Sequence, residues 1–395
     1  MNGGKMTPEE KYSQLTQAFR CAHNGLCDID ALLSSPYGRE MEKLSLLRFR
    51  FEEDPMGEDC LAYYNALGIR KELFQEEDFY SRWAMFTPLR MKERKRYPLI
   101  FWHHGGGNPI ETDEFSTHLT QMAAREGFLV CMLQTTNWDV VDRMIDVLAE
   151  KYPVDKERIY VMGYSQGGQA AHSALIRIPE KLAAVCAGGC DAFPLWDNLD
   201  IRYTIEEIDH LRDIHVPVMQ IAGRYEFLNL LPHNRWENIR VWENGVSVNP
   251  YHNPAHDLDK DPTNPPGKRA DKPKPPNHTD PDWWKLQKLN LRLAVQDCKP
   301  VNADRCFAFA ETPEDELHHV LGFYGENEEI RIYYGLKHYI CDKKDKKGLT
   351  AYRYIGVDNH PHWPPLMMAE LAWEFLRNYR RDSITGRIVF DPYHP

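Results

Sequence analysis

The sequence predicts an α/β fold in which a mostly parallel central sheet carries helices on both faces. Between residues 98 and 188, short apolar segments alternate with amphipathic segments, which is typical of repeated strand–helix units. Within that region, residues 158–170 (RIYVMGYSQGGQA) contain a buried strand, a tight turn and the start of a helix. With 42% hydrophobic residues among 395, the chain has enough apolar side chains to fill such a core.

The turn in this segment has the composition of a nucleophile elbow. Ser165 lies at its tip, with Gly163 and Gly167 two residues away on either side. A serine on a sharp strand-to-helix turn has a strained backbone, and bulky neighbours at those positions would collide. Glycines leave its Oγ exposed at the positive end of the following helix. The competing explanation is a chance match, but residue usage gives only roughly 0.1 such matches. We therefore interpret Ser165 as a nucleophile.

A glycine-rich loop ahead of the elbow is the predicted oxyanion site. The apolar segment 97–102 runs directly into the sequence HHGGGN at residues 103–108. Glycines after a buried strand let main-chain amides approach a ligand closely, and this pattern matches the oxyanion loop of lipase- and esterase-like folds. We predict that the amides of Gly106, Gly107 and Gln166 bind the oxyanion. Taken alone, the segment would also fit a flexible turn.

The general base is expected after the last strand of the sheet. Residues 350–355 have the β-branched and aromatic content of a strand. A loop with two histidines follows, and a helix then begins near Pro364. His362, directly before the helix, is the preferred base, and His360 is the alternative if the loop bulges.

The orienting acid is expected after the segment 215–223, which has the pattern of a strand ending in glycine. Glu226 lies three residues after that glycine, where many hydrolases with such a nucleophile elbow have an Asp. A glutamate can orient a histidine equally well if the backbone lies slightly further back. Asp358 and Glu311 are the alternative acids, and a plain surface glutamate is the non-catalytic interpretation of Glu226.

Ser165, Glu226 and His362, with the loop at 104–107, resemble the α/β-hydrolase fold. Within that fold, residues 141–168 are similar to polyhydroxybutyrate-depolymerase-like and feruloyl-esterase-like proteins. The resemblance implies a serine esterase that hydrolyses carboxylic esters through an acyl-enzyme, without a metal or an organic cofactor. The chain departs from the family pattern by its glutamate at the acid position and by a long insertion between acid and base.

Three other functions fit the same fold. A serine exopeptidase or amidase would share the triad but needs an anchor for a peptide terminus, which the sequence does not reveal. An acyltransferase would pass the acyl group to an acceptor alcohol. A non-catalytic binding protein would keep the fold without the chemistry.

The predicted organisation has four parts. Residues 1–80 form a helical and strand extension packed on the core, and residues 81–248 form the hydrolase core with oxyanion loop, elbow and acid. Residues 249–300 form an insertion, rich in Pro, Asp and Lys at 249–282, that is a lid, a contact arm or a disordered segment. Residues 301–395 complete the core and carry the histidine.

Smaller segments complete the expected layout. In the extension we expect a helix from Thr7 to Cys21, strands at 44–51 and 79–86, and a helical piece at 60–74. In the insertion, His252 and His256 have the spacing of metal ligands on a helix. Pro254 between them argues against that helix, so no metal site is predicted.

Composition narrows the partners. The net charge of −11 disfavours nucleic acid and anionic membrane surfaces as partners. The small-molecule ester expected as partner is what the resemblance implies. No apolar run approaches the ~20 residues that span a bilayer, and residues 1–10 lack the hydrophobic core of a signal peptide. Nine scattered cysteines indicate reduced thiols and thereby a cytoplasmic location. The segment 387–390 resembles an edge strand and leaves a homo-oligomer open.

Overall fold

The structure is a computed structural model, and it describes residues 5–22, 27–75, 81–93, 95–190, 205–225, 241–243, 246–248, 289–302, 304–306 and 316–395. The α-helices of this part are α1 Pro8–Ala22, α2 Ile29–Ser34, α3 Pro36–Phe51, α4 Glu58–Ala66, α5 Ile110–Glu114, α6 Leu119–Glu126, α7 Trp138–Lys151, α8 Gln166–Arg177, α9 Ile205–Ile214, α10 Glu316–Leu321 and α11 Met368–Leu376. Residues 289–295 are also helical.

The strands alternate with these helices along the chain. Their bounds are β1 Ile69–Phe74, β2 Trp83–Pro88, β3 Tyr97–His103, β4 Leu129–Leu133, β5 Val154–Tyr164, β6 Ala184–Gly188, β7 Val218–Gly223, β8 Val241–Glu243, β9 Val246–Val248, β10 Asn327–Tyr333, β11 Leu336–Lys344, β12 Thr350–Val357, β13 Tyr379–Arg381 and β14 Ile388–Phe390.

Ten of the described strands form one mixed sheet in the order β1-β2-β4-β3-β5-β6-β7-β12-β11-β10. The central strands from β4 to β12 run parallel to their neighbours. The strands at both margins pair antiparallel. The predicted α/β fold with a mostly parallel central sheet is therefore confirmed.

Helices cover both faces of this sheet, as the sequence predicts. Because side chains of a strand alternate in direction, Leu99 and Phe101 of β3 lie in one hydrophobic core, while Ile100 and Trp102 lie in the other. Helices α7, α8 and α9 contribute to the first core, and α3, α4, α6 and α11 to the second. Each of these β3 side chains is at most 1% exposed, and complete burial of such a side chain stabilises the fold by about 1.5–3 kcal/mol.

The predicted strand at 44–51 is wrong, because these residues form the second half of α3. The alternation of Arg48 and Arg50 with aromatic residues imitates a strand at short range. The actual start signal lies earlier, where Ser35 accepts a hydrogen bond from the amide of Gly38 and proline occupies the first turn. Over the whole helix, the buried residues Tyr37, Met41, Leu44 and Phe51 follow helical spacing.

The helical piece predicted at 60–74 is only half correct. Helix α4 ends at Ala66, and Gly68 then adopts a left-handed φ of +80°, which favours glycine and ends the helix. Strand β1 follows and pairs antiparallel with β2. The strand expected at 79–86 is found as β2 from residue 83 onward, while residues 79 and 80 lie outside the described residues. The expected first helix is confirmed as α1.

The C-terminal tail pairs within the chain, since β14 runs antiparallel to β13. Residues 249–288 of the predicted insertion lie outside the described residues. The role of the insertion, the domain boundaries and the homo-oligomer stay predictions. The structure shows eight buried cysteines in its described part, and none of these eight forms a disulfide bond. The cytoplasmic location stays a prediction. None of the described helices is both long enough and apolar enough to cross a bilayer.

One buried ion pair joins β1 to the segment that follows the glycine-rich loop. Lys71 Nζ lies 2.8 Å from Glu114 Oε2, and both side chains are fully buried. The Tyr64 hydroxyl donates to the same oxygen at 3.0 Å. Breaking such a pair is expensive, because the remaining charge has no water to solvate it.

Lys71→Ala is expected to lower the free energy of unfolding by roughly 3–5 kcal/mol, because it leaves Glu114 buried without its counter-charge. Burial already raises the pKa of Glu114, and Lys71 opposes that rise. A carboxyl group with a raised folded-state pKa stabilises the fold at low pH and loses this contribution as pH rises. Urea unfolding should therefore show a larger loss at about pH 8 than at about pH 5.

The matched control is Lys156→Ala. Lys156 Nζ also lies 2.8 Å from a carboxylate, that of Asp146, but these side chains are 56% and 65% exposed. Losing an exposed pair costs less than about 1 kcal/mol. Equal losses of unfolding free energy in the two variants would contradict the larger stabilisation expected from the buried pair.

Candidate active site

Ser165 lies at the turn between β5 and α8, as the elbow pattern predicts. Its φ of 58° and ψ of −119° are strained for a residue with a side chain. Two main-chain hydrogen bonds hold the turn: the Ser165 amide donates to the carbonyl of Gly188 at 2.9 Å, and the Gln169 amide donates to that of Ser165 at 3.1 Å. The hydroxyl is thus presented from a backbone that its neighbours keep in place.

The glycines around Ser165 are required by close backbone contacts. A Cβ at Gly163 would lie 2.6 Å from the carbonyl oxygens of His103 and Gly167. A Cβ at Gly167 would lie only 2.0 Å from the same His103 oxygen. Side chains therefore fit at neither position, because the first turn of α8 packs directly on the end of β3.

His362 meets Ser165 although 197 residues separate them in sequence. Its Nε2 lies 2.8 Å from Ser165 Oγ. The ring of Tyr164 lies beside the imidazole, with 5.3 Å between ring centroids. In the tautomer with an unprotonated Nε2, the hydroxyl donates to the ring, which is the arrangement that a general base needs.

His360, the alternative base, has different partners. It is 1% exposed, and its Nε2 lies 2.6 Å from the hydroxyl of Tyr37 in α3. Its Nδ1 lies 2.9 Å from the carbonyl oxygen of Pro361. The two histidines are therefore distinguished by their contacts: His362 faces the serine, and His360 faces the N-terminal helices.

Of the three candidate acids, the structure describes Asp358. Glu226 and Glu311 lie outside the described residues. Asp358, the other alternative acid, accepts from Arg224 Nη1 at 2.7 Å. Tyr225, directly before Glu226, donates its amide hydrogen to the carbonyl of His360 at 3.1 Å. The chain thus reaches the histidine loop one residue before Glu226.

The glycine-rich loop lies beside the nucleophile. A Cβ at Gly105 would be 3.8 Å from Ser165 Cβ, and one at Gly106 would be 3.4 Å from Gln166 Oε1. Gly107 has a φ of +74°, a conformation that favours glycine. Gly106 and Gly107, which carry two of the predicted oxyanion donors, are exposed to solvent.

Two buried histidines anchor the start of this loop. His104 contacts the carbonyl oxygens of Gly105 and Gln134 through its two ring nitrogens, at 2.6 Å each. His103 Nδ1 lies 2.9 Å from the carbonyl oxygen of Thr135, and burial lowers the pKa of His103 to about 4. The conformation of the loop is thus set from the side of β4.

Sequence reasoning missed the buried acids that follow the loop and the residue that contacts His360. Helix α5 carries Glu111, Asp113 and Glu114, all at most 4% exposed. The only signal for them was three acids close behind a buried strand. For Tyr37 the sequence offers no signal, since its partner His360 is 323 residues away.

No family model matches the chain. An aligned stretch of 105 residues is 30% identical to the bifunctional acetylxylan esterase/xylanase XynS20E of Neocallimastix patriciarum, and it covers 23% of this chain and 16% of that protein. The acetyl xylan esterase from Aspergillus awamori has a TM-score of 0.43 at 9% identity over 78% of this chain and 98% of its own. The feruloyl esterase module from Clostridium thermocellum, complexed with sinapinate, has a TM-score of 0.41 at 10% identity over 83% and 91%. These likenesses are too partial or too weak to carry an activity over to this chain.

Gly167→Ala is expected to destabilise the protein by roughly 3 kcal/mol or more, because the new methyl group would overlap the His103 carbonyl. Thermal unfolding measures the loss. The control is Gly348→Ala, where φ is +83° but an added Cβ meets nothing within 4 Å. That change should cost only about 1–2 kcal/mol of backbone strain. A Gly167 variant as stable as the Gly348 variant would show that α8 can move away from β3.

Proposed function

We propose that this chain is a serine hydrolase that cleaves carboxylic esters, with Ser165 as nucleophile and His362 as general base. The contact of 2.8 Å between His362 Nε2 and Ser165 Oγ carries the proposal. It is supported by the strained turn that presents the serine and by the glycine loop beside it. A nucleophile, a base beside it and main-chain hydrogen-bond donors are the groups that acyl transfer requires.

The reaction proceeds in two steps. His362 accepts the Ser165 proton as Oγ bonds to the ester carbonyl carbon, and the amides of Gly106, Gly107 and Gln166 bind the resulting oxyanion. The imidazolium of His362 then protonates the leaving alcohol as the carbonyl re-forms. A water molecule, deprotonated by His362, attacks the acyl-enzyme, and release of the carboxylic acid returns the proton to Ser165.

Glu226 is our proposed orienting acid. Asp358 is held by the guanidinium group of Arg224 at 2.7 Å, which gives its carboxylate a structural partner. The amide of Tyr225, the residue directly before Glu226 in the sequence, instead donates to the main chain of the histidine loop. An acid in this place would accept the Nδ1 proton of His362 and fix its tautomer.

Acetyl esters are the first substrates to test. The curated relative is named an acetylxylan esterase/xylanase, and its matched stretch covers 16% of its length. Proposed substrates are therefore small acyl esters of alcohols, phenols and sugars. A panel of acetyl, butyryl and feruloyl esters against an anilide, with and without an acceptor alcohol, separates esterase from amidase and acyltransferase.

Ser165→Ala is expected to reduce hydrolysis of p-nitrophenyl acetate by a factor on the order of 10⁵–10⁶, because no other group can form the acyl-enzyme. Thermal unfolding should remain close to that of the unmodified protein. A fluorophosphonate should label the unmodified protein once, and mass spectrometry should place the label on Ser165.

Ser173→Ala is the matched control, since Ser173 is a buried serine on helix α8, which begins directly after Ser165. It should keep its activity and its labelling. Turnover by the Ser165 variant, or labelling at another serine, would refute the assignment of the nucleophile.

Glu226→Gln is expected to reduce kcat by a factor on the order of 10³–10⁴, because an amide favours the wrong tautomer of the base. Asp358→Asn should reduce kcat much less and should act through stability, since it weakens the contact with Arg224. Kinetics of both variants at saturating ester decide between the two acids. A larger loss in the Asp358 variant would move the acid to that position.

A further inference from the structure

The loop that carries His362 is clamped on one side by the end of β7. This histidine loop, residues 358–363, lies between β12 and α11. A Cβ at Gly223 would lie 2.3 Å from the carbonyl oxygen of His360 and 2.6 Å from that of Pro361. The amide of Tyr225 donates to the same His360 oxygen. On this side the loop is thus held through its main chain.

The N-terminal segment holds the other side of the loop. The amide of Asp28 donates to Asn359 Oδ1 at 2.8 Å, and Asn359 Nδ2 donates back to the Asp28 carbonyl at 3.0 Å. Asn359 adopts a φ of 45°, which its side-chain hydrogen bonds help to stabilise. Residues of α2 and α3, among them Ile29, Leu32 and Met41, line a small apolar cavity together with Pro361 and Trp363.

Tyr37 is the central contact of this second side. It is 1% exposed, and its ring meets the imidazole of His360 edge-on, at 82° and 5.2 Å between centroids. Its oxygen lies 2.6 Å from His360 Nε2 and accepts from the amide of Leu366 at 3.2 Å. One hydroxyl therefore joins the loop to the residues that lead into α11.

The hydrogen-bond pattern assigns the direction of the Tyr37 contact. The carbonyl of Pro361 can only accept, so His360 Nδ1 carries the proton that points to it. In that neutral tautomer Nε2 accepts, and the Tyr37 hydroxyl donates. Every polar atom in this chain of contacts has a complementary partner, which favours a single position of the loop.

We infer that Tyr37 is a positioning residue for the general base: through His360 and Leu366 it sets the distance between His362 and Ser165. The inference rests on the proposed function, because it assigns Tyr37 a role in that same site. His362 is joined to His360 by Pro361 alone, and the proline ring restricts the backbone between them. A displacement of His360 is therefore transmitted to His362, and a base misplaced by about 1 Å can cost 10²-fold in rate.

Tyr37→Phe removes the hydroxyl and keeps the ring. We expect kcat per active site to fall roughly 10- to 100-fold, with KM within about twofold, because substrate contacts are unchanged and only proton transfer suffers. Active sites are counted by fluorophosphonate labelling, so that unfolded protein does not enter the rate. The matched control is Tyr160→Phe, since Tyr160 is equally buried and its hydroxyl donates to the carbonyl of Tyr379, outside the histidine loop.

Variants of His360 give a second, independent measurement. His360→Leu should lose activity as Tyr37→Phe does, and His360→Gln, which keeps an acceptor for the tyrosine, should recover most of it. The double variant Tyr37→Phe/His360→Leu should be no slower than either single variant, because both remove the same contact. If Tyr37 had only a structural role, these variants would change stability but would not show this pattern of kcat values.

Hydrogen exchange separates this inference from the proposed function. Amides of residues 356–366 should exchange faster in Tyr37→Phe than in the unmodified protein, and those in Tyr160→Phe should not. This readout decides the positioning role even if the unmodified protein neither hydrolyses esters nor reacts with the fluorophosphonate, a result that would refute only the proposed function. Unchanged exchange, together with a kcat per labelled site within twofold of the unmodified protein, would overturn the role of Tyr37.

Discussion

The packing of the first turn of α8 on the end of β3 is the constraint on which the candidate site depends. The His103 carbonyl lies where side chains at Gly163 and Gly167 would have to be, so only glycine permits this approach. The approach keeps Ser165 in its strained conformation, and it brings the residues after β3 alongside the serine. Ser165 and the glycine loop are therefore positioned by one backbone contact, which brings together two segments that lie far apart in sequence.

Buried charged residues hold the C-terminal end of the glycine loop. Glu114 pairs with Lys71 inside the protein, and Glu111 contacts the guanidinium group of Arg82. Asp113 is also buried, and this raises its pKa to about 6, while Trp102 and the amide of Gly105 favour its charged form. Such groups are costly to move, because any displacement leaves a charge without its partner. A loop fixed in this way keeps its amides in place, which is what binding of an anion without reorganisation requires.

The sequence predicted those parts of the site that local sterics dictate. The strand–turn–helix around Ser165 was predictable because glycines at 163 and 167 have a steric cause within five residues. The contact of His362 with Ser165 was predictable because His362 follows the last strand of the sheet. The prediction of a strand at 44–51 was wrong because charged and aromatic residues alternate there as in a strand. The signal that starts the helix lies at Ser35, nine residues earlier. The Tyr37–His360 contact could not be predicted at all, since nothing local to either residue specifies a partner across 323 positions.

The N-terminal helices belong to the layer that covers one face of the central sheet. Ile29, Met41 and Tyr64 lie in the same hydrophobic core as Trp102 of β3 and Ile355 of β12, so these helices cover one face of the sheet. Helices that bury a sheet face cannot leave without exposing a large apolar surface to water. Their position is thus fixed by the hydrophobic effect, independently of any polar contact to the histidine loop. This rigid position is what allows a single tyrosine hydroxyl on α3 to act as a reference point for the loop: a mobile helix would transmit its own motion to His360, whereas a core helix holds it still.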